Sequence, residues 1–238
     1  MKLTRKLIPA MIMLLVSAVL MSTASFAWFA MRDEVTATGM NVTATADAIF
    51  LEIKGTEDDA FSATGTNALN ESLKPVAHKT EGFTVGSLST PGDWYVQYSD
   101  DPGDPDSNLT AQQSLTNLTG YVASTTYSVQ LNEDYLDDGY DLYVSSMTIP
   151  ANSGIKVIVA GANGFQEFSA PETEGAVVNT FDASKILSNT VSTSAQTITV
   201  YIYIDGNDEN VFSNNVAELT GAVTFKLKAF PTDQNPTP

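Results

Sequence analysis

The chain has 238 residues, of which 43% are hydrophobic and 16% charged, and this apolar content suffices for one large core, which excludes disorder of the whole chain. Its 11 basic and 28 acidic residues give a formal charge of −17, and such a surface repels nucleic acid and anionic lipid. The absence of cysteine excludes disulfides and thiolate metal sites and, for an exported chain, favours a host such as a Gram-positive bacterium.

Residues 1–27 have the three parts of an export signal. A basic start precedes an apolar run over residues 7–21, and Ser25 and Ala27 fit the −3 and −1 positions of a signal-peptidase site. We predict a signal peptide over residues 1–27, cut between Ala27 and Trp28. Its basic residues are Lys2, Arg5 and Lys6. Cleavage removes these three of the 11 basic residues, which leaves 8 against 28 acidic ones, a charge of −20 suited to a secreted, extracellular protein that no longer contacts the membrane.

The same segment also fits an uncleaved membrane anchor. With residues 26–30 added, its apolar region approaches the roughly 20 residues that a membrane helix needs. Polar residues within positions 22–25 interrupt that region, and Asp33 and Glu34 follow it where an anchor would have basic residues. These departures favour cleavage over anchoring.

Most of the remaining chain alternates apolar and polar residues with period two, which is typical of strands separated by turns. The pattern predicts an all-β fold over residues 39–231, in which two antiparallel sheets pack as a jelly-roll-like β-sandwich with loop insertions. The predicted strands are MNVTATADAIFLEI, DWYVQYS, GYVASTTYSVQLN, YDLYVSSMTI, GIKVIVAG, QTITVYIYIDG and GAVTFKLKAF. In the last two, the predicted core faces are Ile198, Val200, Ile202 and Ile204, and Val223, Phe225, Leu227 and Ala229, with Thr199, Tyr201 and Tyr203 on the wet face of the first.

Polar, turn-rich segments separate these strands. GTEDDAFSATGTN, SDDPGDPDSN and NEDYLDDGY are predicted to be loops. TFDASKILSN is predicted to form one short helix of one or two turns, with Asp182 as its N-cap. Residues 232–238 are predicted to be a disordered, proline-containing tail without a sortase-type signal, which disfavours covalent wall anchoring.

Motifs of catalysis are missing from the sequence. His78 is the single histidine, so neither a zinc-binding pair nor an H-E-x-x-H helix is available, and no G-x-S-x-G elbow or phosphate-binding loop occurs. We predict that the protein is not an enzyme and that His78 is a solvated loop residue. A glycosidase-like carboxylate pair is the remaining enzymatic alternative, although no particular pair stands out among the acidic loops.

Two acidic loops carry closely spaced oxygen ligands, which suit calcium. They are DDPGDPDSN, with Asp101, Asp104 and Asp106, and DGNDEN, with Asp205 and Asp208. Neither loop matches the EF-hand pattern. Calcium is therefore the one cofactor that the sequence suggests.

The aromatic stretch GDWYVQYSD suggests a sugar-stacking surface. On a strand, Trp94 and Tyr98 would face one way and Tyr95 the other. At least one of these two sets is expected to be core, which weakens a role in glycan binding.

Both ends of the predicted mature chain resemble one known group of proteins. AWFAMRDEVTATGMNVTA has an aromatic pair at the cut, then an acid and a run of small and apolar residues. ITVYIYIDGNDENVFSNNVAELTGAVTFKLKAFPTDQ has a β-run that ends in an acidic glycine turn, an asparagine-bearing stretch and a last strand followed by glutamine. These features are similar to the TasA and camelysin group of exported proteins, which a SipW-type signal peptidase processes. The region 55–195 lies outside the likeness.

The resemblance implies a structural subunit of extracellular fibres in a biofilm or cell-surface matrix, with further copies of itself as partners. In TasA-like fibres the mature N-terminal segment leaves its own subunit and completes a sheet in the next one. The resemblance therefore implies a donor strand over residues 28–38. Its inter-subunit residues would be Trp28, Phe29, Ala30, Met31 and Val35.

Elementary physics supports a donor strand independently. An unpaired sheet edge exposes rows of N–H and C=O groups, which a strand from a neighbour satisfies while its alternate side chains fill pockets. Burial of one large aromatic side chain contributes roughly 2 to 3 kcal/mol. Trp28 and Phe29 would thus drive association once the signal peptidase has freed them, and cleavage would act as the assembly switch.

Three alternatives stay open from the sequence. In the first, residues 28–38 fold back on their own domain as an edge strand or stay disordered. In the second, the protein is a secreted, monomeric module that binds a glycan or adheres to a cell surface through Trp94 and the tyrosines. In the third, residues 1–27 are retained and tether the protein to the membrane.

Overall fold

Short β-strands dominate the computed structural model, which describes residues 40–46, 50–69, 73–98, 111–132, 140–151, 154–171, 178–179, 185–208, 211 and 222–232. All of these residues lie in the second of two compact units of the chain, Val35–Pro238. The strands are β1 (Met40–Ala46), β2 (Leu51–Lys54), β3 (Thr64–Leu69), β4 (Pro75–His78), β5 (Trp94–Tyr98), β6 (Ala111–Ser114), β7 (Val122–Leu131), β8 (Tyr140–Thr148), β9 (Ile155–Ala160), β10 (Phe165–Ser169), β11 (Val178–Asn179), β12 (Ser188–Val191), β13 (Gln196–Asp205) and β14 (Ala222–Pro231). Two 3₁₀ helices, Val85–Ser89 and Pro91–Asp93, connect β4 to β5.

The first sheet has six strands within the described residues. Its order is β11-β8-β14-β1-β3, and β12 pairs with β8 as well. Strand β1 runs parallel to β14, from Asn41 opposite Ala222 to Ala46 opposite Leu227, and antiparallel to β3. Since the whole domain separates β1 from β14 in sequence, no tight turn constrains their relative direction.

The second sheet has eight strands in the described part of the chain. Its main path is β10-β9-β13-β4-β5-β6, with β7 paired to β13 and β2 paired to β7. Strand β13 pairs with β9 on one side, and on the other with β7 and then, in parallel, with β4. The all-β prediction is therefore confirmed, while the sheets are mixed instead of purely antiparallel.

The core between the sheets follows the predicted alternation. In β14 the four predicted core residues, Val223 to Ala229, are all buried, and Lys226 on the opposite face is exposed. The predicted core face of β13, Ile198 to Ile204, is buried in the same cluster. Period two in the sequence thus located the inner face of both strands.

Two polar side chains join the sheets at the side where β3 lies. Asn67 of β3 is 1% exposed and donates from Nδ2 to Thr125 Oγ1 at 2.7 Å and to the Thr126 carbonyl at 2.9 Å, both on β7. Its Oδ1 accepts from the Thr56 N–H at 2.7 Å. The hydroxyl of Tyr127, also on β7, donates to the Val42 carbonyl of β1 at 2.7 Å. These bonds fix the relative position of the two sheets.

A second apolar cluster lies on the outer face of the eight-stranded sheet. Its buried members are Val76, Leu88, Trp94, Val122, Ile158, Ala160 and Tyr203. Residues 79–93, which contain both 3₁₀ helices, contribute Leu88 and the half-buried Phe83 to this cluster. The predicted wet face of β13 is therefore covered at Tyr203.

The predicted helix in TFDASKILSN is wrong where the structure describes it. Lys185 and Ile186 are not helical, and Ser188 begins strand β12. Leu187 is fully buried, and its N–H donates to the Leu142 carbonyl of β8 at 2.8 Å. Pairing with β8 and burial of Leu187 outweigh the weak helical preference of the segment. Asp182 lies outside the described residues.

The predicted loop GTEDDAFSATGTN is wrong over its last residues. Strand β3 begins at Thr64, and Gly65 and Asn67 point inward. An ideal Cβ on Gly65 would lie 2.9 Å from the Gly55 nitrogen, so the close approach of the two chain segments requires glycine there. Small and polar residues fill an inward face that the sequence pattern did not mark as apolar.

Candidate functional site

Most residues of the predicted sites lie outside the described part of the chain. These are the cleavage pair Ala27 and Trp28, the other donor residues Phe29, Ala30, Met31 and Val35, and the first calcium loop with Asp101, Asp104 and Asp106. The signal peptide, residues 1–27, and the tail beyond Thr232 lie there as well. Among the described residues, no helix has the length and hydropathy that spanning a bilayer requires.

Asp205 and Asp208, from the second predicted calcium loop, form a tight turn after β13. Asp205 Oδ2 pairs with Lys156 Nζ at 2.7 Å, and its Oδ1 accepts from the Asn207 N–H at 3.0 Å. The Asp208 N–H donates to the Asp205 carbonyl at 3.1 Å. Both carboxylate oxygens of Asp205 therefore already stabilise the protein. Within the described residues, no three His, Asp or Glu side chains cluster as a metal site would require, and calcium stays a prediction.

The start of β1 is the described feature closest in sequence to the predicted donor strand. Met40 opens β1 and pairs with Leu69, the last residue of β3, while Asn41 pairs with Ala222, the first residue of β14. Within the described residues, both neighbours of β1 therefore end level with its first residues. Residues 70–72 and 212–221, which adjoin these ends of β3 and β14, lie outside the described residues.

Two strands terminate the main path of the eight-stranded sheet in the described part of the chain. Strand β10 ends it on one side and β6 on the other. Gln112, Gln113 and Ser114 of β6 are all exposed. Terminal strands of this kind present backbone groups to which a further strand can add.

A polar network on the outer face of the eight-stranded sheet was not predicted. His78 ends β4, and its Nε2 lies 3.0 Å from Glu167 Oε1 of β10, while its Nδ1 lies 2.8 Å from the Lys79 carbonyl oxygen. The Tyr203 hydroxyl of β13 donates to the same Glu167 oxygen. The His78 side chain is 14% exposed, so the prediction of a solvated loop histidine is wrong.

Aromatic rings enclose the imidazole of His78. Phe83 stacks on it with 4.0 Å between ring centroids and 16° between planes. Trp94 and Tyr203 meet it edge-on at 5.4 and 5.9 Å. Sequence alternation gave no signal for this site, because its members come from β4, β5, β10, β13 and the 79–93 segment, which are distant along the chain.

The ionisation of the pair follows from these contacts. Burial lowers the pKa of His78, but the hydrogen bonds to Glu167 and to the Lys79 carbonyl, with the charge of Glu167, outweigh it, so that the pKa is raised above the ordinary 6.5. Burial raises the pKa of Glu167, yet the bonds from His78 and Tyr203 and the nearby positive charges bring it below 4.5. The pair is therefore charged in mildly acidic solution.

Trp94 is fully buried, so its ring offers no surface for sugar stacking. Its Nε1 donates to the Leu88 carbonyl at 3.3 Å, and its ring packs edge-on against Tyr203 at 5.0 Å. A shallow groove of about 370 Å³ lies nearby, between Val85 of the 79–93 segment and Tyr201 of β13. Among the described residues, this groove is one surface that a glycan could contact where Trp94 is not accessible.

The fold places the protein in the class of all-β sandwich domains. Comparison of the chain with protein-family models, with curated proteins and with solved structures found no match. The class therefore rests on the strands and their pairing, and function has to be argued from the residues of this chain.

Proposed function

We propose that the protein is a structural subunit of an extracellular filament in a biofilm or cell-surface matrix. Residues 28–38 of one copy add as a strand to a sheet of the next copy. The terminal strands β6 and β10 support this proposal, because within the described residues each ends the main path of the eight-stranded sheet and so has an edge to which a further strand can add.

The composition of the segment provides the energy for such an addition. Trp28 and Ala30 share one face of a strand, and Phe29, Met31 and Val35 share the other. Each large aromatic side chain contributes roughly 2 to 3 kcal/mol when buried. The backbone of the added strand completes the hydrogen bonds of a terminal strand, such as β6 or β10, and so sets the register.

Cleavage between Ala27 and Trp28 starts assembly in this proposal. Before the cut, the aromatic pair is continuous with the apolar signal and follows it to the membrane. After the cut, Trp28 becomes the N-terminal residue of a soluble, acidic chain. Polymerisation is thereby confined to the outside of the cell.

Electron microscopy of three chains that begin at Trp28 tests the proposal. The unaltered chain is expected to form filaments. The double variant Trp28→Ser/Phe29→Ser is expected to stay monomeric with an unchanged β-rich circular dichroism spectrum. The matched control Thr36→Ser/Thr38→Ser, which changes the same segment without removing an aromatic ring, is expected to form filaments.

Two outcomes would overturn the proposal. Filaments from the double serine variant would show that the aromatic pair does not drive assembly. A monodisperse monomer from the unaltered chain, retained on a glycan column, would favour the binding-module alternative instead.

A further inference from the structure

His78 holds both of its ring nitrogens against atoms that only accept hydrogen bonds. Nδ1 faces the carbonyl oxygen of Lys79 at 2.8 Å, and Nε2 faces the carboxylate of Glu167 at 3.0 Å. A neutral imidazole has one N–H donor and one acceptor nitrogen, whereas the imidazolium has two donors. The cation is therefore the only form that satisfies both partners, and loss of the proton breaks one of the two bonds.

The site stabilises the charged form from several sides. Tyr203 donates to the Glu167 oxygen that faces His78, which keeps the carboxylate ionised. The flat face of the imidazole rests on Phe83, an arrangement in which an aromatic ring attracts a cation. The ammonium of Lys156 on β9 is a nearby positive charge that disfavours protonation of His78. This ammonium is itself paired with Asp205 of β13.

Phe83 connects His78 to the 79–93 segment. The segment forms only two short 3₁₀ helices and is closed at its base, where the Lys79 N–H donates to the Asp93 carbonyl and Lys79 Nζ pairs with Asp93 Oδ1 at 2.7 Å. Away from that base, the segment contacts the sheet through buried Leu88, whose carbonyl accepts from Trp94 Nε1 at 3.3 Å, and through Phe83. The Phe83 ring stacks on His78 and meets Trp94 and Phe165 edge-on. The orientation of the imidazole therefore helps to hold the segment closed over Trp94.

We propose that His78 is a pH-operated latch: protonated, it bridges β4 to Glu167 of β10 and holds the 79–93 segment closed, and its deprotonation loosens that segment. None of the residues in this device belongs to residues 28–38, so its test does not require filaments, although Glu167 lies on β10, one of the two terminal strands proposed to accept the donor strand.

The direction of the response follows from the raised pKa of His78. The stabilisation is fully present below the ordinary value of 6.5 and is lost as the pH rises through the higher pKa of the folded protein. The pKa of Glu167 lies below 4.5, so on the acid side the bridge persists until the pH falls through that lowered value. The segment is thus tightest in mildly acidic solution.

Mass spectrometry of the full chain, prepared without a histidine tag, tests the latch in either assembly state. Deuterium exchange at the imidazole C2–H reports the pKa of the single histidine, and backbone exchange reports opening of the 79–93 segment. We expect the C2–H exchange rate of His78 to show an inflection above pH 6.5. Backbone protection of the 79–93 segment, corrected for intrinsic exchange rates, should fall about tenfold across that inflection. In Glu167→Gln the inflection should move down by about one unit.

Two variants complete the experiment. Glu52→Gln is the matched control, because Glu52 is another acid of the same sheet and accepts hydrogen bonds from Gln130 and Asn132. It removes the same charge as Glu167→Gln and should leave the His78 inflection unchanged. His78→Gln should abolish the pH step in protection. An inflection at or below 6.5, no step in the wild type, or the same step in His78→Gln would overturn the latch. Because Glu167→Gln retains the histidine, the pKa shift remains measurable even where His78→Gln is unstable.

Discussion

Asn67 shows how much a single buried amide determines in this fold. It bonds to groups on β7 and at Thr56, and its bond to the Thr125 hydroxyl is fully buried. Replacement by an apolar side chain of similar size would leave the Thr125 hydroxyl and the Thr126 carbonyl without this partner. The free-energy cost of leaving a buried polar group without a partner exceeds the net gain from forming the hydrogen bond, because no water can take the place of the lost partner.

The variant Asn67→Leu should therefore lower the free energy of unfolding by about 3 kcal/mol. Urea denaturation of the Val35–Pro238 unit would measure it, with the slope of the transition unchanged. Asn163→Leu, at an exposed residue that accepts one bond from the Asn189 N–H, should change the free energy by less than about 1 kcal/mol. Equal effects from the two variants would show that Asn67 does not join the sheets as described.

Individual residues also show where sequence reasoning stops. The buried face of β14 could be predicted, because its alternation is a local property of the strand. The burial of His78 and Tyr203 could not, because it depends on the 79–93 segment crossing the outer face of a sheet. The inward position of Asn67 could not be predicted for a related reason. In the sequence a buried amide looks like a loop residue, because its partners on β7 are far away along the chain.

At the scale of elements, the turn between β9 and β10 packs on the chain that leads into β12. The Gly161 N–H donates to the Gly164 carbonyl at 2.9 Å, and the Asn163 N–H donates to the Leu187 carbonyl at 3.0 Å. An ideal Cβ on Gly161 would lie 2.2 Å from the Leu187 carbonyl oxygen. The same contact explains why TFDASKILSN is not helical at Leu187, since the extended chain serves both β8 and this turn.

We expect Gly161→Ala to lower the free energy of unfolding by about 2 kcal/mol, because the clashing atom belongs to the backbone and cannot rotate away. Gly92→Ala is the matched control, since nothing lies within 4 Å of the Cβ that it would add. Thermal unfolding of the Val35–Pro238 unit would compare the two variants. An unchanged unfolding temperature in Gly161→Ala would mean that the turn and Leu187 are further apart than described.

At the scale of the whole molecule, the sequence and the structure contribute different parts of the account. Period two predicted an all-β sandwich, and the strands confirm it. The parallel pairing of β1 with β14 and of β4 with β13 could not be predicted, because it joins segments far apart in the chain. The proposed filament rests on the terminal strands β6 and β10 and on the residues that precede β1 in the sequence.

Blocking the cut offers a test of the switch. Ala27→Pro should prevent signal-peptidase cleavage, so that the protein stays with the cells and forms no extracellular filaments. N-terminal sequencing should find Trp28 in the wild-type secreted protein and Met1 in the variant. Extracellular filaments from the uncleaved variant would separate assembly from processing and contradict the switch.

The most direct measurement is a high-resolution cryo-electron microscopy structure of filaments assembled from the chain that begins at Trp28. Our account predicts that residues 28–38 lie as an added strand along a sheet of the neighbouring subunit, with Trp28 and Phe29 buried against it. Filaments in which these residues pack on their own subunit, or make no contact with the next one, would contradict it.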